Sequence, residues 1–131
     1  MTEIYCKINN LTNALHHAEE MLTLARQGYL ENKNIFRLQK YIEALELCAW
    51  VEKENDKIEE SLQNMNKAAK ARQKYMQSMI TSNRLTKDDL HGLITNLLAI
   101  RDLCVDLGRE DDANKVNNDI NNCLEYYGAY V

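Results

Sequence analysis

The histidines of this chain stand near carboxylates at helical spacing. Carboxylate–imidazole pairs three positions apart build metal sites inside helical bundles. A di-iron site, however, needs Glu-x-x-His on two helices and two further glutamates. Here one group has the reverse order and the other is a single pair, and no histidine falls on an apolar stripe. We therefore interpret them as solvated polar faces and predict neither a metal nor another cofactor. The groups are His16 and His17 with Glu19 and Glu20, and Asp88 with His91.

Arg84 and His91 are separated by six residues. This spacing resembles the Arg-x(4–6)-His motif of the HEPN ribonucleases, which are small all-α domains. In that family the two residues stabilise charge and relay protons at a scissile phosphate, so the resemblance implies general acid–base cleavage of RNA. It covers eight residues, and Asp88 and Asp89 between them would repel RNA. A HEPN-like RNA-cleaving domain is therefore the enzymatic alternative for this chain.

The four cysteines do not have the spacing of a metal or redox motif. Cys104 and Cys123 fall on apolar stripes, Cys48 lies in an apolar stretch, and Cys6 is close to the N-terminus. We predict free thiols in a reducing compartment in preference to disulfides or zinc ligands. Gly-rich phosphate loops and Gly-x-Ser-x-Gly elbows are missing as well. These observations favour a non-enzymatic protein.

A basic stretch, Lys67, Lys70, Arg72 and Lys74, stands beside Tyr75. Such a helix face could contact a phosphate backbone or an acidic partner surface. Acidic residues a few turns earlier favour a solvated face with balanced charge. The formal net charge of −4 argues against nucleic acid as the main partner, because nucleic-acid-binding domains are normally basic. Weak nucleic-acid binding through this helix stays open as a further alternative.

Adaptable contact residues concentrate at two places in the second half of the chain. Methionine and tyrosine are frequent at protein interfaces, and here they exceed what one packed helix stripe needs. Closure of the core at the ends of the bundle is the competing interpretation. If the side chains are exposed, they form an apolar patch for a partner protein or a second copy. The predicted partner-binding residues are Tyr75, Met76, Met79, Ile80, Tyr126, Tyr127 and Tyr130.

Apolar residues recur every three or four positions along most of the chain. This period places them on one stripe of a helix. No proline interrupts the 131 residues, and no alternating strand pattern competes. We predict a single all-α domain over residues 1–131, an antiparallel bundle of four or five helices. The clearest stripes are Ile4, Ile8, Leu11, Leu15, Ala18, Leu22, Ala25 and Tyr29; then Leu90, Leu93, Leu97, Ile100, Cys104 and Leu107; then Ala113, Val116, Ile120, Cys123 and Tyr127.

The sequence leaves two interpretations of the helices in the middle of the chain. A first helix is expected from Thr2, as N-cap, to about Glu31. Only a polar hexapeptide interrupts the pattern between residues 34 and 82, so we predict one long, bent helix there. Two helices, the second capped at Asn55-Asp56, are the alternative. Thr86 is expected to cap the helix that follows.

The C-terminal part is predicted to form a helical hairpin that turns at Gly108. It resembles one tetratricopeptide-type repeat, with Leu97, Ile100, Leu107 and Ala113 at apolar or small positions of that repeat. The likeness covers about a quarter of the chain, and its second half departs from the pattern. We interpret it as a common way of packing two helices, without family membership.

Composition completes the functional prediction. Hydrophobic residues make up 45% and charged residues 27% of the chain, as in ordinary globular domains. Apolar runs are far shorter than the roughly 20 residues that span a bilayer, and the N-terminus does not resemble a secretory signal. We expect a cytoplasmic protein, or one delivered to a cytosol without a signal. We predict a protein–protein interaction module, such as an adaptor, a chaperone-like partner or an inhibitor that masks another protein's surface. It would bind another protein or itself as a homodimer, with no membrane and no small-molecule substrate.

Overall fold

The computed structural model describes residues 2–131, with side chains from Asn10 onward. Over that part the chain is all-α and contains no strand, which confirms the predicted fold class. The side chains of Thr2, Ile4 and Ile8, on which part of the first predicted stripe and its cap depend, lie outside the described residues. The five helices are α1 (Thr2–Glu31), α2 (Ile35–Glu54), α3 (Ile58–Thr81), α4 (Lys87–Asp106) and α5 (Glu110–Gly128).

The prediction of one long helix between residues 34 and 82 is wrong. α2 ends at Glu54, and α3 begins at Ile58 after a three-residue turn. Asn55 is the C-cap of α2 and not the N-cap of α3, which begins without a side-chain cap. Asp56 has φ 60°, a left-handed conformation that stops a helix. Aspartate tolerates this conformation better than most residues, because its short side chain can bond locally.

The same stop ends three successive helices. Asp56, Asn83 and Gly108 have φ values of 60°, 58° and 73°. In each case the amide of the next residue donates to a carbonyl five positions back, the pattern of a Schellman motif. These bonds are Lys57 to Glu52 (2.8 Å), Arg84 to Met79 (2.7 Å) and Arg109 to Cys104 (2.8 Å). Gly108 is thereby confirmed as the turn of the C-terminal hairpin.

Thr86 forms the N-cap of α4, as predicted. Its hydroxyl oxygen accepts from the Asp89 amide at 3.2 Å, and the Asp89 carboxylate accepts from the Thr86 amide at 3.0 Å. This reciprocal pair is a capping box, which satisfies two backbone donors that the first helical turn leaves free. The cap therefore fixes the position at which α4 begins.

The core consists of one large and two small clusters. The large cluster joins α3, α4 and α5. The smaller ones pack α1 against α2, and Ala71 and Tyr75 of α3 pack against one of them. Most close helix contacts join sequence neighbours. Stripe residues of α4 and α5 that the sequence places in the core are buried: Leu90, Leu93, Leu97, Ile100, Cys104, Ala113, Val116, Ile120 and Tyr127. The small clusters contain Leu15, Ala18, Cys48 and Val51, and Tyr29, Leu38 and Ile42.

A polar network crosses α2, α3 and α4. Arg72 Nη2 donates to both carboxylate oxygens of Glu46, at 2.9 and 3.0 Å. Asn96 is buried, and in the amide orientation that satisfies it, Nδ2 donates to Glu46 Oε2 at 2.7 Å and to the Gly92 carbonyl at 3.0 Å. A Cβ atom at Gly92 would lie 2.6 Å from Arg72 Nη1. The guanidinium therefore occupies the space that a side chain at position 92 would need.

Gly92→Ala is expected to destabilise the protein by about 1–2 kcal/mol, because the added methyl group displaces the guanidinium from Glu46. Helix propensity alone predicts the opposite sign, a gain of about 1 kcal/mol. Gly28→Ala is the control, since a Cβ there meets nothing within 4 Å and only the gain remains. Urea denaturation of both variants measures the difference. Equal gains in the two variants would contradict the account of Gly92.

Asp56→Gly is expected to raise the free energy of unfolding by about 0.5–1 kcal/mol, because glycine adopts a positive φ without steric cost. Lys53→Gly, inside α2, should lower it by about 1 kcal/mol. Thermal or urea denaturation distinguishes the two. A loss in both variants would indicate a continuous helix at Asp56.

Candidate functional site

Two of the seven predicted partner-binding residues lie inside the core. Met76 has 0% and Tyr127 7% of its surface exposed, and both belong to the cluster of α3, α4 and α5. Tyr75 and Ile80 are partly buried against the same cluster. The hydroxyl of Tyr75 accepts a hydrogen bond of 2.9 Å from Gln39 Nε2. The seven residues therefore do not form one exposed patch, because their stripes close α3 and α5 against α4.

The remaining members of that set are separated between two helix ends. Met79 is partly buried near the end of α3. Tyr126 and Tyr130 are half-exposed near the end of α5, with ring centroids 5.7 Å apart. Tyr126 also meets the ring of Tyr127 edge-on at 4.9 Å. Binding by these residues stays a prediction, with Tyr126 and Tyr130 as its accessible part.

Of the four residues predicted to form the basic face, one does not lie on it. Arg72 turns into the polar network with Glu46, whereas Lys67, Lys70 and Lys74 are exposed on one side of α3. The ammonium of Lys74 lies 5.5 Å from the centre of the Tyr29 ring, a cation–π contact between α3 and α1. Three lysines on one stripe therefore make up the accessible basic face.

The histidines lie on the surface. His16, His17 and His91 are exposed, and His16 Nε2 lies 3.4 Å from Glu20 Oε1. Among residues with described side chains, no group of three or more His, Cys, Asp or Glu could hold a metal ion. Arg84 and His91 are both exposed, and no hydrogen bond joins their side chains.

The three cysteines with described side chains are free thiols. Burial, reinforced by the nearby Glu52 carboxylate, raises the pKa of Cys48 to about 12. Burial also raises the pKa of Cys104 and of Cys123. Because the thiolate is the reactive form, these thiols are poor nucleophiles at neutral pH.

An exposed apolar row along α2 escaped the sequence analysis. Phe36 is 74% exposed and Trp50 61%, and Leu47 lies between them on the same side of the helix. The sequence contains a signal for this row. Leu47 follows Phe36 by 11 positions and precedes Trp50 by three, and this spacing places the three side chains opposite the core stripe of α2. That stripe consists of Leu38, Ile42, Leu45 and Ala49.

A groove between α1 and α2 adjoins this row. Its volume is about 290 Å³, and Lys40 and Glu43, 4.0 Å apart, are among the residues that line it. By helical spacing both lie on the same side of α2 as the apolar row. The groove and the apolar row share Leu47, and we call the two together the outer face. It consists of Met21, Ala25, Phe36, Ala44, Leu47 and Trp50.

A second groove, of about 240 Å³, lies between α1 and α3 with α2 beneath it. Its apolar surface comes from Leu22, Leu30, Tyr41 and Leu45, and its polar groups come from Thr23, Arg26, Gln27, Asn64 and Lys67. We call this set of nine residues the inner groove. Within the described chain neither the Arg26 guanidinium nor the Lys67 ammonium has a hydrogen-bond or ion-pair partner. The groove thus combines an apolar interior with two unpaired cations.

Asn64 connects the inner groove to a buried carboxylate. Its Nδ2 donates to Glu52 Oε1 at 2.6 Å, and Glu52 is only 6% exposed. Burial raises the pKa of Glu52 above its ordinary value of 4.5, and the hydrogen bond from Asn64 offsets part of that effect. Burial of the charged carboxylate therefore costs stability at neutral pH.

Comparison with known proteins finds no relative: no family model, no curated protein and no solved structure matches the chain. Within residues 2–131 no helix has both the length and the apolar composition needed to cross a bilayer. The candidate site is therefore defined by the geometry of the outer face and the inner groove.

Glu52→Gln is expected to stabilise the protein at pH 7 and to have little effect near pH 4. The folded pKa of Glu52 lies above the unfolded one, so its contribution to stability is fully present below pH 4.5 and is lost as pH rises through the folded pKa. Glutamine keeps the acceptor for Asn64 and removes the charge. Urea denaturation of both proteins at the two pH values measures this difference. An equal effect at both would contradict the raised pKa.

Proposed function

We propose that this protein is a non-enzymatic interaction module that docks onto another protein through the outer face. The supporting observation is the exposure of Phe36 and Trp50. Exposed aromatic side chains are enriched at protein-binding surfaces, and tryptophan is among the side chains enriched at energetic hot spots. Neither aromatic ring lies in the core clusters, so the fold does not explain them.

The dimensions of the outer face suit a helical partner. The row from Phe36 to Trp50 runs about 21 Å along α2, at 1.5 Å per residue. An amphipathic helix lying beside it would present apolar side chains at every third or fourth position. Lys40 and Glu43, which lie between the two aromatic residues on the same side of α2, would supply polar contacts within the interface. Because this pair offers both signs of charge, a different protein and a second copy of this chain are both possible partners.

We further propose that the protein functions in a reducing compartment such as the cytoplasm. Free thiols at Cys48, Cys104 and Cys123 support this, since an oxidising compartment would favour disulfides. Adaptor, chaperone-like partner and inhibitor are roles that a docking surface of this kind serves equally well.

Phe36→Asp and Trp50→Asp should each weaken capture of the partner from native lysate at least tenfold, because each buries a charge at the interface. Leu124→Asp, at a half-exposed position on α5, is the matched control and should keep wild-type capture. Light scattering on the purified proteins shows whether the partner is a second copy. Identical partners and amounts for all four proteins would refute the proposal.

A further inference from the structure

We infer that the inner groove binds an acidic peptide segment of a partner protein, which inserts one or two large apolar side chains between α1 and α3. The inference is independent of the proposed function, because the two surfaces share no residue. In α1 the outer face uses Met21 and Ala25, whereas the inner groove uses Leu22 and Arg26.

The interior of the groove defines the apolar part of the ligand. Leu22 and Leu30 come from α1, and Tyr41 and Leu45 from α2. Leu45 is only 1% exposed, so the accessible apolar surface comes from Leu22, Leu30 and the ring of Tyr41. This surface suits leucine-like side chains better than stacked bases. The volume of about 240 Å³ is smaller than the roughly 300–1,000 Å³ of typical small-molecule sites. It therefore matches parts of a peptide better than a whole cofactor.

The cations define the charge of the ligand. Arg26 and Lys67 border the groove from opposite sides, and no carboxylate is among the residues that line it. On α3 the stripe continues through Lys70 and Lys74, about 10 Å along the helix from Lys67. These charges stand out in a chain whose formal net charge is −4. Acidic side chains flanking an apolar anchor would find ion-pair partners in Arg26, Lys67 and Lys70, which have none within the described residues.

The length of the groove limits the ligand to a short segment. On α1 the lining residues run from Leu22 to Leu30, about 12 Å along the helix axis. Two turns of helix, or three to four extended residues, cover that distance. A short acidic motif with leucine-like anchors is thus the ligand class we infer.

The test is a titration of the ¹⁵N-labelled full chain with the peptide EELLEELLEE at low salt, followed by NMR. Amide shifts should concentrate around Leu22, Tyr41, Leu45 and Lys67. The peptide KKLLKKLLKK, with the same apolar residues and opposite charge, should bind at least tenfold more weakly, since the groove offers it only like charge.

Charge reversal gives the second arm of the test. The double variant Arg26→Glu/Lys67→Glu should lower affinity for the acidic peptide about tenfold or more. Lys87→Glu/Lys115→Glu makes the same change in net charge at exposed positions elsewhere, and should stay within twofold of wild type. Both positions of the test variant are exposed, and circular dichroism checks that it keeps its helices. Phe36→Asp should bind the peptide normally, which separates this inference from the proposed function.

Three outcomes would overturn the inference. The first is equal binding of the acidic and the basic peptide, and the second is a set of shifts centred away from the groove. The third is tighter binding of an oligouridine than of the acidic peptide, with steep loss of affinity as salt rises, which would make the lysine stripe a nucleic-acid contact. Absence of shifts at millimolar acidic peptide counts with the second outcome.

Discussion

The arrangement of this protein depends on three residues held in a left-handed backbone conformation. Asp56, Asn83 and Gly108 each lie two positions after the last residue of a helix, where the chain changes direction. Because the connections are so short, each new helix packs against the one before it. The result is a series of antiparallel helix pairs in which contacts stay local in sequence. Both grooves lie beside α1, the inner groove between α1 and α3 and the groove of the outer face between α1 and α2.

The core was largely predictable from the sequence, whereas the turn between α2 and α3 was not. Residues such as Leu93 and Ile120 fall on unbroken stripes, and burial is the only way to remove such a stripe from water. Gly108 signals its own turn, since glycine adopts a positive φ freely. Asp56 gives no such signal. The adjacent Asn55 donates from its side chain to the Leu11 carbonyl at 3.1 Å, a contact 44 residues away that no local pattern displays.

The candidate site was less predictable, for a related reason. An apolar residue on a helix is either core or contact surface, and periodicity alone does not distinguish the two. Met76 and Tyr127 have the composition of an interface and lie in the core, whereas Phe36 and Trp50 lie in solvent. Their offset from the core stripe of α2 is visible in the sequence, but its meaning depends on which sides α1 and α3 cover. The inner groove joins residues of three helices, so only the folded chain brings it together.

The first helix forms one wall of both proposed surfaces, yet it is attached mainly to α2 through two small apolar clusters. A partner that binds at either surface would therefore stabilise the position of α1. By thermodynamic linkage, a bound segment adds RT ln(1 + [L]/Kd) to the free energy of detaching α1, and substitutions that loosen α1 lower affinity without touching the ligand. A partner at either proposed surface would thus also hold α1 in place for the other.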